Sequence, residues 1–219
     1  MFLGKYDLEF LKKTLYTGSV SDILDKKGYT QQACCSAIRP VSEGDKILGT
    51  ACTVLAGRVY TKVKEPLKMQ LLSIEALQKD DIYCAAVQGS DSVGFYGELM
   101  ATGSRGRGAV GALIDGAIRD AEKFKEMKFP VFATGFRPTT VIGRVEVVEW
   151  GCPVEIGGVK VFPGDVIFGD IDGVVVIPKD IAIEVIDTCL TLVEHENEAR
   201  AMLIKGDPIT KVYDALHVM

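Results

Sequence analysis

The sequence reads DDIYCAAVQG at residues 80–89, AVGALID at 109–115 and FPVFATG at 129–135, three short apolar runs of the kind typical of buried strands. The residues between them, 95–102 and 119–128, have the apolar spacing of helices. Strands that alternate with helices pair in parallel through right-handed crossovers. We therefore expect an α/β fold with a parallel sheet.

Shorter apolar runs follow Pro138 and carry a different pattern. RVEVVEW, PVEIGG, VKVF and GVVVIP are separated by the turn signals Gly157-Gly158, Pro163-Gly-Asp and Asp170-Ile-Asp-Gly. This pattern predicts antiparallel strands added to the parallel sheet. No internal repeat or low-complexity linker interrupts the chain, so we expect one domain over residues 1–219.

Composition excludes several classes of function. A net charge of -5 without a long basic run argues against a nucleic-acid partner. No apolar run approaches the roughly 20 residues that a membrane helix needs, and the first residues lack a signal-peptide core. The six cysteines include no CxxC pair and resemble reduced thiols. These features predict a cytoplasmic protein that does not bind membranes.

Histidine is too scarce for two common types of active site. His195 and His217, the two histidines of the chain, both lie near its C-terminal end. Neither is near a nucleophile-elbow pattern, which disfavours Ser-His-Asp or Cys-His catalysis. A zinc site rich in histidine is disfavoured for the same reason.

Residues 106–111, GRGAVG, match the spelling of the dinucleotide-binding motif GxGxxG. That motif binds pyrophosphate only when a strand precedes it and a helix follows it. Here a helical segment precedes the glycines and a strand follows. We therefore interpret them as a tight turn and not as a nucleotide site.

A more informative constellation joins Gly97-Glu-Leu-Met to Arg119-Asp120 across one helix, one turn and one strand. A helix beginning at Gly97 presents unpaired N–H groups that attract a carboxylate, and Arg119 can clamp the same anion. Asp120 beside them could hold Mg²⁺ together with water. Structural roles are open for each residue: Asp120 could cap its own helix, Arg119 could pair with a surface glutamate, and Glu98 could be an ordinary first-turn residue.

The sequence resembles the RraA-like family across nearly its whole length. The matching elements, in order, are SDILDKKG, GTACTV, GELM, GALIDGAIRD, PVEIGGVKVFPGD and DIDGVVVIP. This family includes class II 4-hydroxy-4-methyl-2-oxoglutarate aldolases, oxaloacetate decarboxylases and the regulator of ribonuclease activity A. The resemblance implies an α/β/β sandwich of the swivelling-domain type.

The resemblance also implies roles for individual residues. The backbone amides of Gly97, Glu98, Leu99 and Met100 and the side chain of Arg119 would hold a pyruvate unit. Asp120 would bind the divalent metal, Mg²⁺ or Mn²⁺, while Glu98 would support the waters of that metal. An acidic residue, a gap of twenty residues and an Arg-Asp pair form the signature of the active aldolases.

Family members complete this site with a glutamate from the closing helix of a neighbouring subunit. Glu196 is our first candidate for that glutamate and Glu198 the second, placed by their distance from Gly206. The alternative is that both belong to a charged, solvated helix face. The resemblance implies a homotrimer or a hexamer made of two trimers.

Two functions follow as expectations. One is a metal-dependent lyase that cleaves a 4-hydroxy-2-oxo acid to pyruvate, with oxaloacetate decarboxylation as a further activity. The other is a non-catalytic protein that binds and restrains a ribonuclease. Members of the regulator branch lack the acidic residue that Glu98 supplies, so its presence favours the enzyme. A Schiff-base aldolase is disfavoured, because every lysine has polar or charged neighbours.

Overall fold

An eight-stranded mixed sheet organises the protein, with a separate two-stranded hairpin beside it. The computed structural model describes residues 5–61 and 63–218. The strands are β1 (Arg39–Pro40), β2 (Ile47–Arg58), β3 (Asp81–Ser90), β4 (Gly111–Ile118), β5 (Val131–Phe136), β6 (Val145–Trp150), β7 (Val154–Ile156), β8 (Val159–Val161), β9 (Val166–Asp170) and β10 (Gly173–Ile177). The helices are α1 (Leu8–Thr14), α2 (Thr17–Lys26), α3 (Lys68–Glu75), α4 (Glu98–Gly106), α5 (Ala121–Met127), α6 (Ala182–Ile204) and α7 (Ile209–Leu216).

The parallel part of the sheet confirms the expectation drawn from the alternating runs. Strands β2, β3, β4 and β5 are parallel neighbours, joined by α3, α4 and α5. β4 is buried along almost its whole length, as its continuous apolar sequence indicates. The carboxyl ends of β4 and β5 therefore meet at one edge of the sheet.

The antiparallel strands extend the same sheet from β2. This long strand pairs with β9 through Ile47–Thr50 and with β6 through residues 54–58. β10 then pairs with β9 at the end of the sheet. Of the runs after Pro138, only β7 and β8 form a separate hairpin.

Layers on both faces of the sheet make the fold an α/β/β sandwich, as expected. Helices α3, α4 and α5 contribute Ile74, Ala101 and Phe124 to the apolar core on one face. The hairpin contributes Ile156 and Val161 to the core on the other face. Helices α1, α2 and α6 pack a third cluster against β9 and β10.

A stack of buried aromatic rings fixes the region before α4. The ring centroids of Tyr83 and Tyr96 lie 5.3 Å apart, and those of Tyr96 and Phe124 lie 6.2 Å apart. The Tyr96 hydroxyl donates a hydrogen bond to Ser104 Oγ at 2.8 Å. Because Tyr96 is fully buried, it anchors the residue that follows it, Gly97.

Two helices begin later than the sequence predicts. α4 begins at Glu98 and not at Phe95, because the backbone of Phe95 and Tyr96 bonds to β4 instead. α5 covers Ala121–Met127 and excludes Arg119 and Asp120, which form the turn after β4. The GRGAVG segment connects the end of α4 to β4, as the turn interpretation expects.

No helix in residues 5–61 or 63–218 combines the length and apolar character that crossing a bilayer requires.

Candidate active site

The turn after β4 is held against the chain segment that leads into α4. The Phe95 N–H donates to the Ala117 carbonyl at 2.8 Å, and the Arg119 N–H donates to the Tyr96 carbonyl at 3.0 Å. Tyr96 and Ile118 form a parallel bridge. These bonds bring Gly97 and Glu98 beside Arg119 and Asp120, although at least twenty residues separate them in sequence.

Gly97 permits this close approach because it has no side chain. A Cβ atom at Gly97 would lie 2.7 Å from Asp120 Oδ2 and 3.2 Å from Arg119 Nε. Its backbone angles, φ -134° and ψ -179°, suit any residue, so the requirement for glycine comes from space and not from conformation. The side chains of Arg119 and Asp120 occupy the room that the missing Cβ leaves.

Asp120 caps a helix other than the one it precedes. Its carboxylate makes no hydrogen bond to α5 and instead accepts from the Glu98 N–H, the first of α4, at 3.2 Å. The residue has φ 63° and ψ 36°, a left-handed conformation that aspartate tolerates better than most residues. The structure therefore excludes the simple interpretation of Asp120 as the cap of α5.

The start of α4 keeps two free backbone donors. The N–H groups of Leu99 and Met100 find no acceptor among the described residues. Gly97, at the N-cap position, has no side chain that could accept a hydrogen bond from them. Donors in a first helical turn attract anions, helped by the helix dipole. Because the Glu98 N–H is already bonded to Asp120, Leu99 and Met100 supply the N–H groups of this helical turn that can bind a carboxylate without losing another bond.

Glu98 directs its carboxylate along α4. One oxygen, Oε1, accepts a hydrogen bond from Thr102 Oγ1 at 2.9 Å, one helical turn further on. The residue is half-buried at the same helix end that Asp120 caps. Its backbone thus joins the Arg119–Asp120 turn, while its carboxylate bonds to a side chain one turn further along α4.

Arg119 and Asp120 form an ion pair at the mouth of a cleft. Arg119 Nε lies 3.6 Å from Asp120 Oδ2, and each side chain is 44% exposed. The cleft has a volume of about 320 Å³ and is lined by Ile118, Arg119, Asp120, Ala121, Phe136, Arg137 and Pro138. This volume is at the lower end of the usual range for small-molecule sites.

The end of β5 supplies cleft residues that the sequence did not single out. Phe136 is 64% exposed, and Arg137 and Pro138 follow it directly. Residues 97–100 do not line this cleft. The Arg119–Asp120 pair is therefore flanked by the free amides of α4 and by a cleft toward β5. The pairing of β4 with β5 was the signal that could have identified Arg137.

The donor atoms around Asp120 fit a hydrated Mg²⁺ or Mn²⁺ ion. Asp120 Oδ1 accepts no hydrogen bond from any described residue, whereas Oδ2 is already engaged. The described part of the chain contains no group of three or more His, Cys, Asp or Glu residues able to hold a metal. Mg²⁺ commonly keeps several waters and binds to a protein through one or two carboxylates. The free Oδ1 of Asp120 can supply one such carboxylate ligand.

Glu196 lies in a different cleft of the same chain. Tyr16, Ala199, Arg200, Leu203 and Val218 line this second cleft with it, and none of them borders Arg119 or Asp120. Burial raises the pKa of Glu196, partly offset by Arg200, and its Oε2 atom has no hydrogen-bond partner among the described residues. Glu198, by contrast, is exposed. Within one chain, neither glutamate lines the cleft of Arg119 and Asp120.

Known proteins resemble this chain over most of its length. A putative 4-hydroxy-4-methyl-2-oxoglutarate aldolase of Halalkalibacterium halodurans is 33% identical, over 81% of this chain and 80% of that protein. Protein DlpA of Legionella pneumophila is 28% identical over 88% of this chain, which spans only 31% of the length of DlpA.

A solved structure extends the likeness to the fold. Streptomyces coelicolor RraAS2, described as an unusual member of the RNase ES inhibitor RraA protein family, has a TM-score of 0.76 and 25% identity. The match covers 89% of this chain and 97% of that one. A family profile described as RraA-like: Aldolase/RraA matches residues 17–176, which include the cleft and the start of α4. The chain therefore belongs to the RraA-like family.

Proposed function

We propose that the protein is a divalent-metal-dependent lyase that cleaves a 4-hydroxy-2-oxo acid and releases pyruvate. The observation that carries this proposal is the position of the Asp120 carboxylate, which bonds to the first N–H of α4 beside Arg119. Asp120 and Arg119 thus line one small cleft, and the free amides of α4 lie beside this pair without lining the cleft. The aldolase-named relative from Halalkalibacterium halodurans supports the same chemistry.

Substrate binding follows from the two groups of donors. The free N–H groups of Leu99 and Met100 and the planar guanidinium of Arg119 would hold the carboxylate of the pyruvate unit. Such fixed donors would orient the bond that breaks, because both oxygens of the carboxylate would accept hydrogen bonds. Arg119 would also neutralise negative charge that develops on the neighbouring C-2 oxygen.

Asp120, through its free Oδ1, would hold the divalent cation. The bound cation would supply a Lewis acid at the C-2 oxygen, where negative charge accumulates during cleavage. Glu98 would order water around this position from the first turn of α4.

Cleavage also needs a base for the 4-hydroxyl proton. Glu98, or Glu196 of the partner subunit, would accept that proton through a water molecule. The C-3 to C-4 bond then breaks, C-4 becomes a carbonyl, and the electron pair passes through C-3 to the C-2 oxygen. Protonation at C-3 completes pyruvate.

Decarboxylation of oxaloacetate would use the same binding groups. The bond that breaks in oxaloacetate joins C-3 to the leaving carboxylate, and the electron pair again passes to the C-2 oxygen. No 4-hydroxyl proton has to be removed. One site can therefore support both reactions, with the base needed for only one.

A second candidate function is the binding of a ribonuclease without catalysis. The fold of RraAS2, with its link to an RNase inhibitor family, is the observation that favours it. Glu98 is the residue that favours the enzyme, because the regulator branch lacks an acid at that position. The two functions make opposite predictions for turnover.

The deciding experiment is an assay of pyruvate release from a panel of 2-oxo acids that includes 4-hydroxy-4-methyl-2-oxoglutarate and oxaloacetate. We expect release with Mg²⁺ or Mn²⁺, none after chelation, and none from Arg119→Ala or Asp120→Ala. Absence of turnover across the panel, together with binding of a purified ribonuclease, would establish the regulator instead.

We also propose that the protein acts as a homotrimer or as a pair of trimers. Leu99 is 79% exposed at the start of α4 and Phe136 is 64% exposed in the cleft lining, so two large apolar side chains are open to solvent near the site. Contact with a second copy would cover them. Helix α6 of the second copy would then bring its glutamate, Glu196 or Glu198 of the partner subunit, to the cleft.

A further inference from the structure

Arg119 and Arg137 are lateral neighbours at the edge of the sheet. Ile118 of β4 pairs with Phe136 of β5 in a parallel register, and the two arginines are the next residue of each strand. The Arg137 N–H donates to the Ile118 carbonyl at 2.8 Å, which extends the pairing to this position. Neighbouring strands lie about 4.8 Å apart, and both arginines line the same cleft.

One nitrogen of the Arg137 guanidinium is hydrogen-bonded, and the other two are free. Arg137 Nε donates to the Asp91 carbonyl at 2.9 Å. The two terminal nitrogens make no hydrogen bond to a described residue, and no ion pair within 4.0 Å includes Arg137 among the described residues. Arg119, by contrast, has Asp120 as its partner.

Gly94 shows how closely the structure packs the chain around both arginines. A Cβ atom at Gly94 would lie 2.2 Å from the Arg137 carbonyl oxygen and 2.8 Å from Arg119 Cβ. The Gly94 N–H also donates to the Thr139 carbonyl at 2.8 Å. The segment from Asp91 to Gly94 therefore fixes the backbone of Arg137 and the direction in which its side chain leaves.

Charge in the cleft favours a ligand with two negative groups. Two guanidinium groups and one carboxylate leave a net charge of +1 before any cation binds, and a divalent cation would raise it further. One substrate carboxylate satisfies Arg119 and the amides of α4. The two terminal nitrogens of Arg137 can then bind a second carboxylate at the other end of a small ligand.

We propose that Arg137 determines specificity by binding the distal carboxylate of a 2-oxo dicarboxylate whose pyruvate half is held at Arg119. This assignment rests on the proposed lyase function for the identity of the reacting half. It predicts that the substrate carries a carboxylate on the fragment that departs from pyruvate. An analogue without that group leaves the Arg137 fork unpaired and binds more weakly.

Two matched ligands test the assignment by calorimetry in the presence of Mg²⁺. 2-Oxoglutarate carries the distal carboxylate, and 2-oxopentanoate has the same chain length without it. The wild-type protein should bind 2-oxoglutarate about 10- to 100-fold more tightly, the range expected for a charge-assisted hydrogen bond. Arg137→Gln should reduce this preference to about threefold or less, and Arg137→Lys should keep part of it.

Arg107→Gln is the matched control, because Arg107 is an exposed arginine at the far end of α4, outside the cleft. It should leave the preference unchanged. In turnover, Arg137→Gln should lower kcat/KM for 4-hydroxy-4-methyl-2-oxoglutarate, mainly through KM. It should change cleavage of 4-hydroxy-2-oxopentanoate by less than about threefold.

The outcomes separate this assignment from the proposed function. The assignment is overturned if the wild-type protein shows no preference, if neither ligand binds, or if Arg137→Gln weakens both ligands equally. If the preference depends on Arg137 but no substrate releases pyruvate, the lyase proposal fails and the dicarboxylate site stands. Circular dichroism of each variant identifies any loss of fold, in which case Arg137→Lys provides the comparison.

Discussion

Asp120 Oδ2 lies 3.2 Å from the backbone nitrogen of Glu98, so one carboxylate joins the end of β4 to the start of α4. The bond orients Asp120 toward a positively polarised helix end and leaves Oδ1 available. It also accounts for the left-handed backbone of Asp120, which lets the side chain turn away from α5. The proposed metal position and the proposed carboxylate position are thereby adjacent.

Replacement of Gly97 by alanine should damage the site with little strain in the backbone itself. The new Cβ would lie 2.7 Å from Asp120 Oδ2 and displace that carboxylate. A misplacement of about 1 Å can cost about 100-fold in rate, so we expect kcat/KM for pyruvate release to fall about 10- to 100-fold. Overpacking should lower the free energy of unfolding by about 1–3 kcal/mol, measured by urea denaturation.

Gly106→Ala on the same helix is the control for this variant. A Cβ at Gly106 would meet no atom within 4 Å, and alanine is the better helix former. Turnover should stay at the wild-type level and stability should be unchanged or higher. Equal activity of the two variants would show that contact between Gly97 and Asp120 does not matter for catalysis.

Substitution of Glu196 by glutamine should stabilise the protein in a pH-dependent way. Burial raises the pKa of Glu196 above its ordinary value of 4.5, so the folded state favours the protonated form. Well below pH 4.5 the wild-type residue is neutral in both states and its stabilising contribution is complete. As pH rises through the raised pKa, that contribution is lost, and glutamine, which cannot ionise, avoids the loss.

Thermal denaturation at pH 4 and pH 7.5 measures this difference. Glu196→Gln should have a Tm close to that of the wild type at pH 4 and a higher Tm than the wild type at pH 7.5. Glu198→Gln, an exposed change on α6, should stay within about 0.5 kcal/mol at both values. A Glu196→Gln variant less stable than wild type at pH 7.5 would contradict the predicted sign.

Mixing of two inactive variants tests whether the site spans two subunits. The assay uses 4-hydroxy-4-methyl-2-oxoglutarate, whose cleavage needs a base. Asp120→Asn lacks the proposed metal ligand and Glu196→Gln lacks the proposed base, so each homo-oligomer should be inactive. A mixed oligomer places an intact Asp120 opposite an intact Glu196 at some interfaces, and pyruvate release should reappear. Glu198→Gln in place of Glu196→Gln identifies which glutamate matters, and no recovery with either would argue for a site within one chain.

The sequence predicted the sheet well because its information is local. The apolar runs at 109–115 and 129–135 became β4 and β5, and the helix-like spacing between them became α5. The start of α4 was misplaced because Phe95 and Tyr96 satisfy their backbone groups on β4, a contact distant in sequence. Tertiary pairing therefore overrode helical spacing at that point.

The candidate site was predicted only in part for the same reason. The proximity of Gly97 and Asp120 was expected from the length of the intervening helix, turn and strand, and the structure confirms that they are neighbours. Arg137 was missed because its place beside Arg119 depends on the register of β4 against β5. The cleft that Glu196 shares with Tyr16 likewise depends on the approach of residues that are distant in sequence.

The most direct measurement of the central claim is metal-dependent pyruvate release by Asp120→Asn beside the wild-type protein. Asparagine tolerates the left-handed backbone and can still accept the hydrogen bond from Glu98, so the fold should be retained. Because the amide lacks the negative charge that holds a hard cation, we predict a loss of at least about 100-fold at any Mg²⁺ or Mn²⁺ concentration tested. Wild-type turnover in Asp120→Asn, or wild-type turnover that persists after chelation, would contradict the account.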